Sequence, residues 1–283
     1  MTSPATFEER RLSRGRTRLF LRTARLDAPV RAEVLLTHGL GEHSGRYTHV
    51  SAALAARGLR LWAYDLRGHG RSDGPRGDAL YEDLLEDLAL VHAEVAQTGR
   101  PVFFMGHSMG AQVSLRFLLD RPVECRGAVI ASPWLRLSFV PPRWRMALAA
   151  LAARLYPWLT QSTSSIAAHL SRDLAHLAAL PDPELVHHRV SARLFLALQR
   201  EGRRVLDRAG EFKRPVLLLH GSNDAVTSCA ATQEFYERAG STDKRFVLYP
   251  DFMHETHNDL GRERVLEDAA TWIAARVDET CSA

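Results

Sequence analysis

Short apolar runs recur along the chain and alternate with longer segments of helical periodicity. The runs lie at residues 34–37, 59–64, 102–105, 127–131, 216–220 and 246–249. Runs that are apolar at nearly every position are typical of parallel strands covered on both faces. The chain is therefore predicted to have an α/β fold, with a mainly parallel central sheet and helices on both faces.

The segments between the runs place apolar residues three and four positions apart, as amphipathic helices do. One such segment extends from Leu80 to Val95, and we expect Asp78 to be its N-cap. Another extends from Val265 to Ile273, after the last run. Residues 17–24 are expected to add an antiparallel strand near the amino terminus.

The alternation stops between residues 134 and 212, where the sequence is helical, rich in alanine and arginine, and interrupted by prolines. We interpret this segment as a helical cap inserted into the core. The chain then divides into core residues 1–133, cap residues 134–212 and core residues 213–283. Tryptophan, arginine and apolar residues are mixed near 134–160, which is typical of a segment at a membrane surface. The alternative is that these residues pack the cap onto the core.

The composition, 46% hydrophobic and 25% charged, is that of a globular protein. Cys125, Cys229 and Cys281 are too few and too widely spaced for a disulfide framework or a zinc site, which favours a reducing compartment. The charged amino-terminal segment does not resemble a secretory signal, and no apolar stretch is long enough to span a bilayer. We expect a cytoplasmic protein, peripheral at the membrane if the cap binds lipid.

The net charge is +4, and arginines cluster between residues 10 and 25. One interpretation is attraction to the phosphates of nucleic acid or of an anionic membrane. No nucleic-acid-binding motif accompanies the cluster, so we favour a solvated edge and expect no nucleic-acid partner.

Ser108 lies at the centre of a Gly-x-Ser-x-Gly motif at residues 106–110, between an apolar run and a helical segment. This is the setting of a nucleophile elbow, where glycines on either side of the serine permit a tight turn. A serine hydroxyl needs a base to accept its proton. In this fold an acid and then a histidine are expected on loops after later strands.

Asp224 and His254 occupy those two places and complete a predicted catalytic triad with Ser108. His257 is the rival base, but we expect it to lie in the following helical turn. The spacing of His254, Glu255 and His257 is one residue short of the H-E-x-x-H zinc pattern. We therefore predict no metal site, and no cofactor.

Acyl transfer also needs backbone donors for the oxyanion. We assign the N–H of Met109, directly after the serine, and the N–H of Leu40, in the loop after the run at 34–37. The glycine-rich stretch at 65–72 lacks the G-x-G-x-x-G spacing of a nucleotide site. We interpret it as a structural loop.

Four motifs together resemble one family: HGLGEHSGRY at 38–47, DLRGHGRSDG at 65–74, GHSMG at 106–110 and YPDFMHE at 249–255. They are similar to the monoacylglycerol lipase and lysophospholipase-like branch of the α/β-hydrolases. The resemblance implies hydrolysis of monoacylglycerol to glycerol and fatty acid beneath a helical cap. It also implies that Glu42 and Arg46 contact the glycerol head group. The chain departs from the family pattern at Leu40, where a smaller residue is common, and at Asp251 and Phe252, where a glycine is frequent.

The same motifs also suit a lysophospholipase, a carboxylesterase or a thioesterase, because acyl specificity lies in the cap. A non-catalytic ligand receptor on a hydrolase scaffold is an alternative of a different class, although such proteins usually have a damaged triad. A lipid ester is the predicted partner. The sequence leaves acyl chain length and oligomeric state open.

Overall fold

A computed structural model describes residues 6–278 of the chain. The strands are β1 (Phe7–Arg14), β2 (Thr17–Ala24), β3 (Ala32–Thr37), β4 (Leu59–Tyr64), β5 (Val102–His107), β6 (Gly127–Ala131), β7 (Thr160–Ser162), β8 (Arg189–Ser191), β9 (Val216–Gly221) and β10 (Lys244–Tyr249). The helices are α1 (Thr48–Ala55), α2 (Tyr81–Ala96), α3 (Ser108–Asp120), α4 (Arg143–Leu155), α5 (Leu174–Ala179), α6 (Ala192–Asp207), α7 (Cys229–Arg238) and α8 (Arg262–Asp278). Of the three cysteines, Cys125 and Cys229 form no disulfide, and Cys281 lies outside the described residues.

The central sheet has the strand order β1-β2-β4-β3-β5-β6-β9-β10. β1 and β2 pair antiparallel with each other, and β2 pairs antiparallel with β4. The remaining pairs are parallel, which confirms the predicted mainly parallel sheet. The strand order reverses at β3, which lies between β4 and β5. In open sheets of this kind, sites form beyond the carboxyl ends of the strands next to such a reversal.

Each face of the sheet carries its own apolar core, because successive side chains of a strand point to opposite faces. In β5, Phe104 packs into a core with α2, α3, α6 and α7, to which Phe117 belongs. Its neighbour Phe103 packs into the other core, with α1 and α8, to which Ile273 belongs. The predicted helices on both faces are thus confirmed.

Two features of the amino-terminal half differ from the sequence-based prediction. Asp78 is not the N-cap of α2, which begins at Tyr81 with Leu80 in the cap position. Asp78 lies three residues before the helix begins, and its carboxylate instead accepts a hydrogen bond from Arg193 of α6 at 2.7 Å. The edge strand β1 was not predicted, since its sequence is FEERRLSR and shows no apolar face.

The arginine cluster near the amino terminus is engaged with acidic side chains. Arg10 donates to Glu94 at 2.7 Å, and Arg14 donates to Asp87 at 2.8 Å. Both acids belong to α2, so β1 is fixed to this helix by charge. These ion pairs offset part of the positive charge of the cluster, and its interpretation as a solvated edge stays a prediction.

The segment at 134–212 contains α4, α5 and α6, together with β7 and β8, which pair with each other outside the central sheet. α6 contributes Leu198 and Val205 to the core. α4, in contrast, buries none of its side chains. The division into core and cap stays a prediction. Between residues 6 and 278, no helix combines the length and apolarity that crossing a bilayer requires.

Candidate active site

Ser108 lies at the sharp turn where β5 ends and α3 begins. Its φ is 52°, in the left-handed region. A Cβ on Gly110 would collide with the Thr37 carbonyl oxygen at the end of β3, and one on Gly106 would collide with the backbone of α3. Both glycines of the motif are therefore required by close backbone approach, as a nucleophile elbow predicts.

The side chains of Ser108, His254 and Asp224 form a continuous hydrogen-bonded series. Ser108 Oγ lies 3.0 Å from Nε2 of His254. Nδ1 of the same ring lies 2.8 Å from Oδ2 of Asp224. A neutral imidazole with its proton on Nδ1 donates to Asp224 and leaves Nε2 free to accept the serine proton.

Asp224 is surrounded by hydrogen-bond donors. Its Oδ1 accepts the backbone N–H groups of Val226 at 2.7 Å and Thr227 at 2.9 Å, and its Oδ2 accepts the Thr227 hydroxyl at 2.8 Å. Burial would raise the pKa of Asp224, but the charges and hydrogen bonds of His254 and His220 outweigh burial and lower it. Asp224 is therefore a carboxylate with a fixed orientation.

His257, the rival base, lies in the 3₁₀ helix Thr256–Asn258, as expected. Its ring stacks on Tyr47 with centroids 4.9 Å apart, and burial lowers its pKa well below the ordinary histidine value. The Ser108 hydroxyl lies against His254 instead. The structure thus brings together the three predicted residues and leaves His257 aside.

The predicted oxyanion donors belong to two separate parts of the chain, α3 and the loop after β3. Met109 is the second residue of α3, where a backbone N–H has no acceptor inside the helix. Leu40 lies in the oxyanion loop, residues 38–42, which lines the same cavity as Ser108. The N–H of Gly39 donates to the Glu42 side chain at 2.5 Å, so the loop is folded by one of its own residues. The oxyanion role of Leu40 and Met109 stays a prediction.

A cavity of about 70 Å³ opens on Ser108 and His254. Its apolar walls come from Trp134, Ile166, Ala167, Leu170, Val186 and Val226. Most of these residues belong to the segment at 134–212, so this segment covers the serine with apolar surface.

Glu42 and Arg46, predicted to contact a glycerol head group, hydrogen-bond to protein groups. Arg46 donates to Glu42 at 3.1 Å and, through two nitrogens, to Glu255 at 3.0 and 2.9 Å. Glu42 also accepts the Tyr47 hydroxyl at 2.8 Å. Both Glu42 and Arg46 line the cavity, and their contact with substrate stays a prediction.

Glu42, His107 and His257 have possible ligand atoms within 4.8 Å of one another. However, Oε1 of Glu42 already accepts the Gly39 N–H and the Tyr47 hydroxyl and lies 3.0 Å from Nδ1 of His107. A cation would have to displace these donors. The chemistry of this cluster therefore does not suit a metal ion.

A family model described as serine aminopeptidase, S33, matches residues 28–261, a range that contains all three residues of the hydrogen-bonded series. The chain belongs to the serine aminopeptidase S33 family. One relative of this chain is an uncharacterized abhydrolase domain-containing protein of Dictyostelium discoideum. It is 34% identical over 87% of this chain, and the match spans 27% of that protein.

Two further similar proteins are lipases by name. The monoacylglycerol lipase of Mycolicibacterium smegmatis is 30% identical to this S33 chain, covering 89% of it and 91% of the lipase. The crystal structure of Paleococcus ferrophilus monoacylglycerol lipase has a TM-score of 0.83 and 30% identity, covering 91% of this chain and 99% of that one. These findings confirm the α/β-hydrolase fold and the resemblance to monoacylglycerol lipases.

Sequence reasoning missed several polar partners of the site. Thr227 and His220 hold Asp224, and Glu255 holds Arg46. His107 contacts Glu42. His107 directly precedes Ser108 and Glu255 directly follows a predicted site residue, and this adjacency is the signal that could have identified them.

Proposed function

We propose that the protein hydrolyses monoacylglycerols to glycerol and free fatty acid, with Ser108 as nucleophile, His254 as general base and Asp224 as its orienting acid. The observation that carries the proposal is the hydrogen-bonded series of these three side chains at the mouth of a cavity with apolar walls. The lipase names of similar proteins support the choice of substrate.

Acylation begins when Ser108 Oγ attacks the carbonyl carbon of the ester and its proton passes to Nε2 of His254. The carbonyl oxygen becomes an oxyanion, which the N–H groups of Leu40 and Met109 stabilise. The bond from the carbonyl carbon to the glycerol oxygen then breaks. Glycerol leaves with the proton from His254, and the acyl group stays on Ser108.

Deacylation repeats these steps with water as the nucleophile. His254 takes a proton from water, whose oxygen attacks the acyl carbon, and the same N–H donors stabilise the second oxyanion. The bond to Ser108 Oγ breaks, and His254 returns the proton to the serine. The fatty acid then leaves the cavity.

The charged lining of the cavity favours a neutral ester over a peptide with a free amino terminus. An aminopeptidase needs a carboxylate to bind the substrate's ammonium group. Glu42 and Glu255 are the carboxylates that line this cavity, and both are paired with Arg46. A substrate ammonium would have to displace this guanidinium, whereas an uncharged glycerol ester need not.

The test of the proposal is the Ser108→Ala variant. It should lower kcat for a monoacylglycerol by about 10⁴- to 10⁶-fold and abolish labelling by a fluorophosphonate, with an unchanged circular dichroism spectrum. Ser114→Ala, on the same helix, is the matched control and should keep both activities. An aminoacyl p-nitroanilide should be a poor substrate. Substantial ester hydrolysis by Ser108→Ala would refute the assignment of the nucleophile.

We also propose that the protein reaches its lipid substrate by binding membranes through the α4 surface, which consists of the exposed apolar side chains Trp144, Leu148, Leu151, Leu155, Trp158 and Leu159. Each of these is between 53% and 62% exposed. Arg143, Arg145 and Arg154 lie on the same helix, suited to lipid phosphates. A cytoplasmic protein with this surface would be peripheral at the membrane.

Replacing Leu148, Leu151 and Leu155 by serine tests the α4 surface. Binding to phosphatidylglycerol-containing vesicles should weaken about tenfold or more, because apolar contact area with the bilayer is lost. Turnover of a long-chain monoacylglycerol in vesicles should fall in parallel, while turnover of a soluble short-chain ester should not change. The matched control replaces Leu80, Leu248 and Leu260, three leucines exposed elsewhere. Equal loss on both substrates would mean that the α4 surface has a packing role.

A further inference from the structure

His107 directly precedes Ser108 and contacts two other parts of the active site at once. Its Nδ1 lies 3.0 Å from Oε1 of Glu42, in the oxyanion loop. Its Nε2 lies 3.3 Å from the backbone carbonyl oxygen of His254. Carboxylate and carbonyl oxygens accept hydrogen bonds but cannot donate them, so both ring nitrogens must carry a proton to make these two bonds.

A second buried histidine at the same site has different partners. Nδ1 of His38 lies 2.7 Å from the carbonyl oxygen of Gly39, but its Nε2 accepts the backbone N–H of Leu66. One acceptor and one donor match a neutral ring, and burial lowers the pKa of His38. The two acceptors around His107 therefore distinguish it from its neighbour.

The buried charges around His107 balance when its ring is a cation. Glu42 and Glu255 bring two negative charges, and Arg46, which binds both, brings one positive charge. Each of these four residues is at most 7% exposed. Buried charges are stable only when they are paired. An imidazolium at His107 supplies the second positive charge.

The pKa of His107 responds to these same groups. Burial alone would lower the pKa, but the hydrogen bond and charge of Glu42 and the charge of Glu255 outweigh burial and raise it above the ordinary histidine value. The titratable and charged groups around the ring are Glu42, Arg46, Tyr47, His254, Glu255 and His257. Because the pKa of His107 is raised, bonds that need its charge persist to a higher pH than they would with an ordinary histidine, and they are lost as the pH rises through that raised value.

We propose that His107 is a positioning residue whose imidazolium holds the oxyanion loop, through Glu42, and the backbone of His254 in their active arrangement. The proposal rests on the proposed function. Glu42 also accepts the N–H of Gly39, so fixing its carboxylate fixes the peptide that precedes the predicted oxyanion donor Leu40. When His107 loses a proton, one of its two contacts is released, and the geometry for attack by Ser108 is lost.

The protonation of His107 can be measured without reference to activity. In the whole protein labelled with ¹⁵N-histidine, both ring nitrogens of His107 should be protonated at neutral pH, and one should lose its proton at alkaline pH. The resonances are assigned as those absent from His107→Gln. A ring with one protonated nitrogen at neutral pH would overturn the proposal, whether or not the protein hydrolyses esters.

The kinetic test uses a soluble short-chain ester across the pH range. Wild-type kcat/KM should fall at alkaline pH as His107 loses its proton. His107→Gln should lower kcat by about 100-fold with little change in KM, as expected for misplaced catalytic groups, and its profile should have no alkaline decline. Glu42→Gln removes the carboxylate that raises the pKa of His107, so its alkaline decline should move to lower pH.

His92→Gln is the matched control, because His92 is another buried histidine on the face of α2. It should keep the wild-type kcat and the wild-type alkaline decline. If His107→Gln retains the alkaline decline, another group causes it and the positioning role is refuted. Retained activity in Ser108→Ala would refute the proposed function but would say nothing about the protonation of His107. The two proposals therefore fail separately.

Discussion

His254 is fixed at its ring and at its backbone, and each contact serves a separate purpose. The ring lies between Asp224 and Ser108. Its backbone carbonyl accepts the Ser132 hydroxyl at 2.9 Å and lies 3.3 Å from His107. If His254 is the base, as proposed, holding it at both places means that it loses little orientational freedom when a substrate arrives, which is what positioning contributes to rate.

The assignment of His254 rather than His257 predicts different outcomes for the same substitution. His254→Gln should abolish turnover of a soluble ester, because glutamine cannot accept the serine proton. His257→Gln should change kcat little, since its ring is stacked on Tyr47 and apart from the serine. Equal damage from the two substitutions would contradict the assignment.

At the residue scale, spacing in the sequence was enough to select Ser108, Asp224 and His254, which the structure brings into hydrogen-bond contact. Each follows a strand whose apolar run is visible in the sequence. The contact between Arg46 and Glu255 was not predictable from spacing in this way. Glu255 is 209 positions from Arg46 in the sequence. No local sequence pattern indicates a contact over that separation.

At the scale of elements, the junction of β5 and α3 depends on how closely α3 approaches β3. Gly110 allows this approach, since a Cβ there would meet the Thr37 carbonyl oxygen. Gly110→Ala should therefore destabilise the fold by about 1–3 kcal/mol through overpacking and lower kcat, measured by thermal unfolding and ester turnover. Gly210→Ala is the control, because the atom nearest to a Cβ at that position would be 3.9 Å away. Equal stability of the two variants would show that the approach can relax.

α6 ties the segment at 134–212 to the helix that carries Ser108. Gln112 of α3 donates to the Leu198 carbonyl at 2.8 Å, and Arg116 donates to Glu201 at 3.0 Å. The segment is thus anchored where it returns to the core, while α4 buries no side chain. This arrangement suits the proposed membrane binding, since contacts made by the α4 surface need not disturb the helix that carries Ser108.

Among the elements, apolar patterning predicted the parallel strands and the helices that pack on them, because burial imposes that pattern. It failed for β1, whose hydrogen bonds to β2 and ion pairs to α2 need no apolar face. It also failed for the N-cap of α2, because Asp78 is paired with Arg193, which is 115 positions later in the sequence. Both failures involve partners that are distant in sequence.

At the scale of the whole molecule, the central sheet separates two cores, and its parallel strands β3, β5, β6 and β9 lie in that order, with their carboxyl ends along one edge of the sheet. The oxyanion loop follows β3, Ser108 follows β5, and Asp224 follows β9. Residues from separate parts of the chain thus meet because parallel strands end at a common edge. The family resemblance was enough to predict that these residues lie close together. It could not give the distances between their side chains.

The left-handed backbone at Ser108 also has a thermodynamic consequence for the molecule as a whole. A residue with a Cβ is strained at a φ of 52°, whereas glycine adopts this conformation freely. Ser108→Gly and Ser108→Ala both lack the hydroxyl, yet Ser108→Gly should be the more stable by about 1 kcal/mol, measured by thermal unfolding. Equal melting temperatures would mean that the turn has relaxed. Ser108, the proposed nucleophile, is thus held against the local preference of the chain, and a descendant that no longer needed hydrolysis could gain stability by replacing it with glycine.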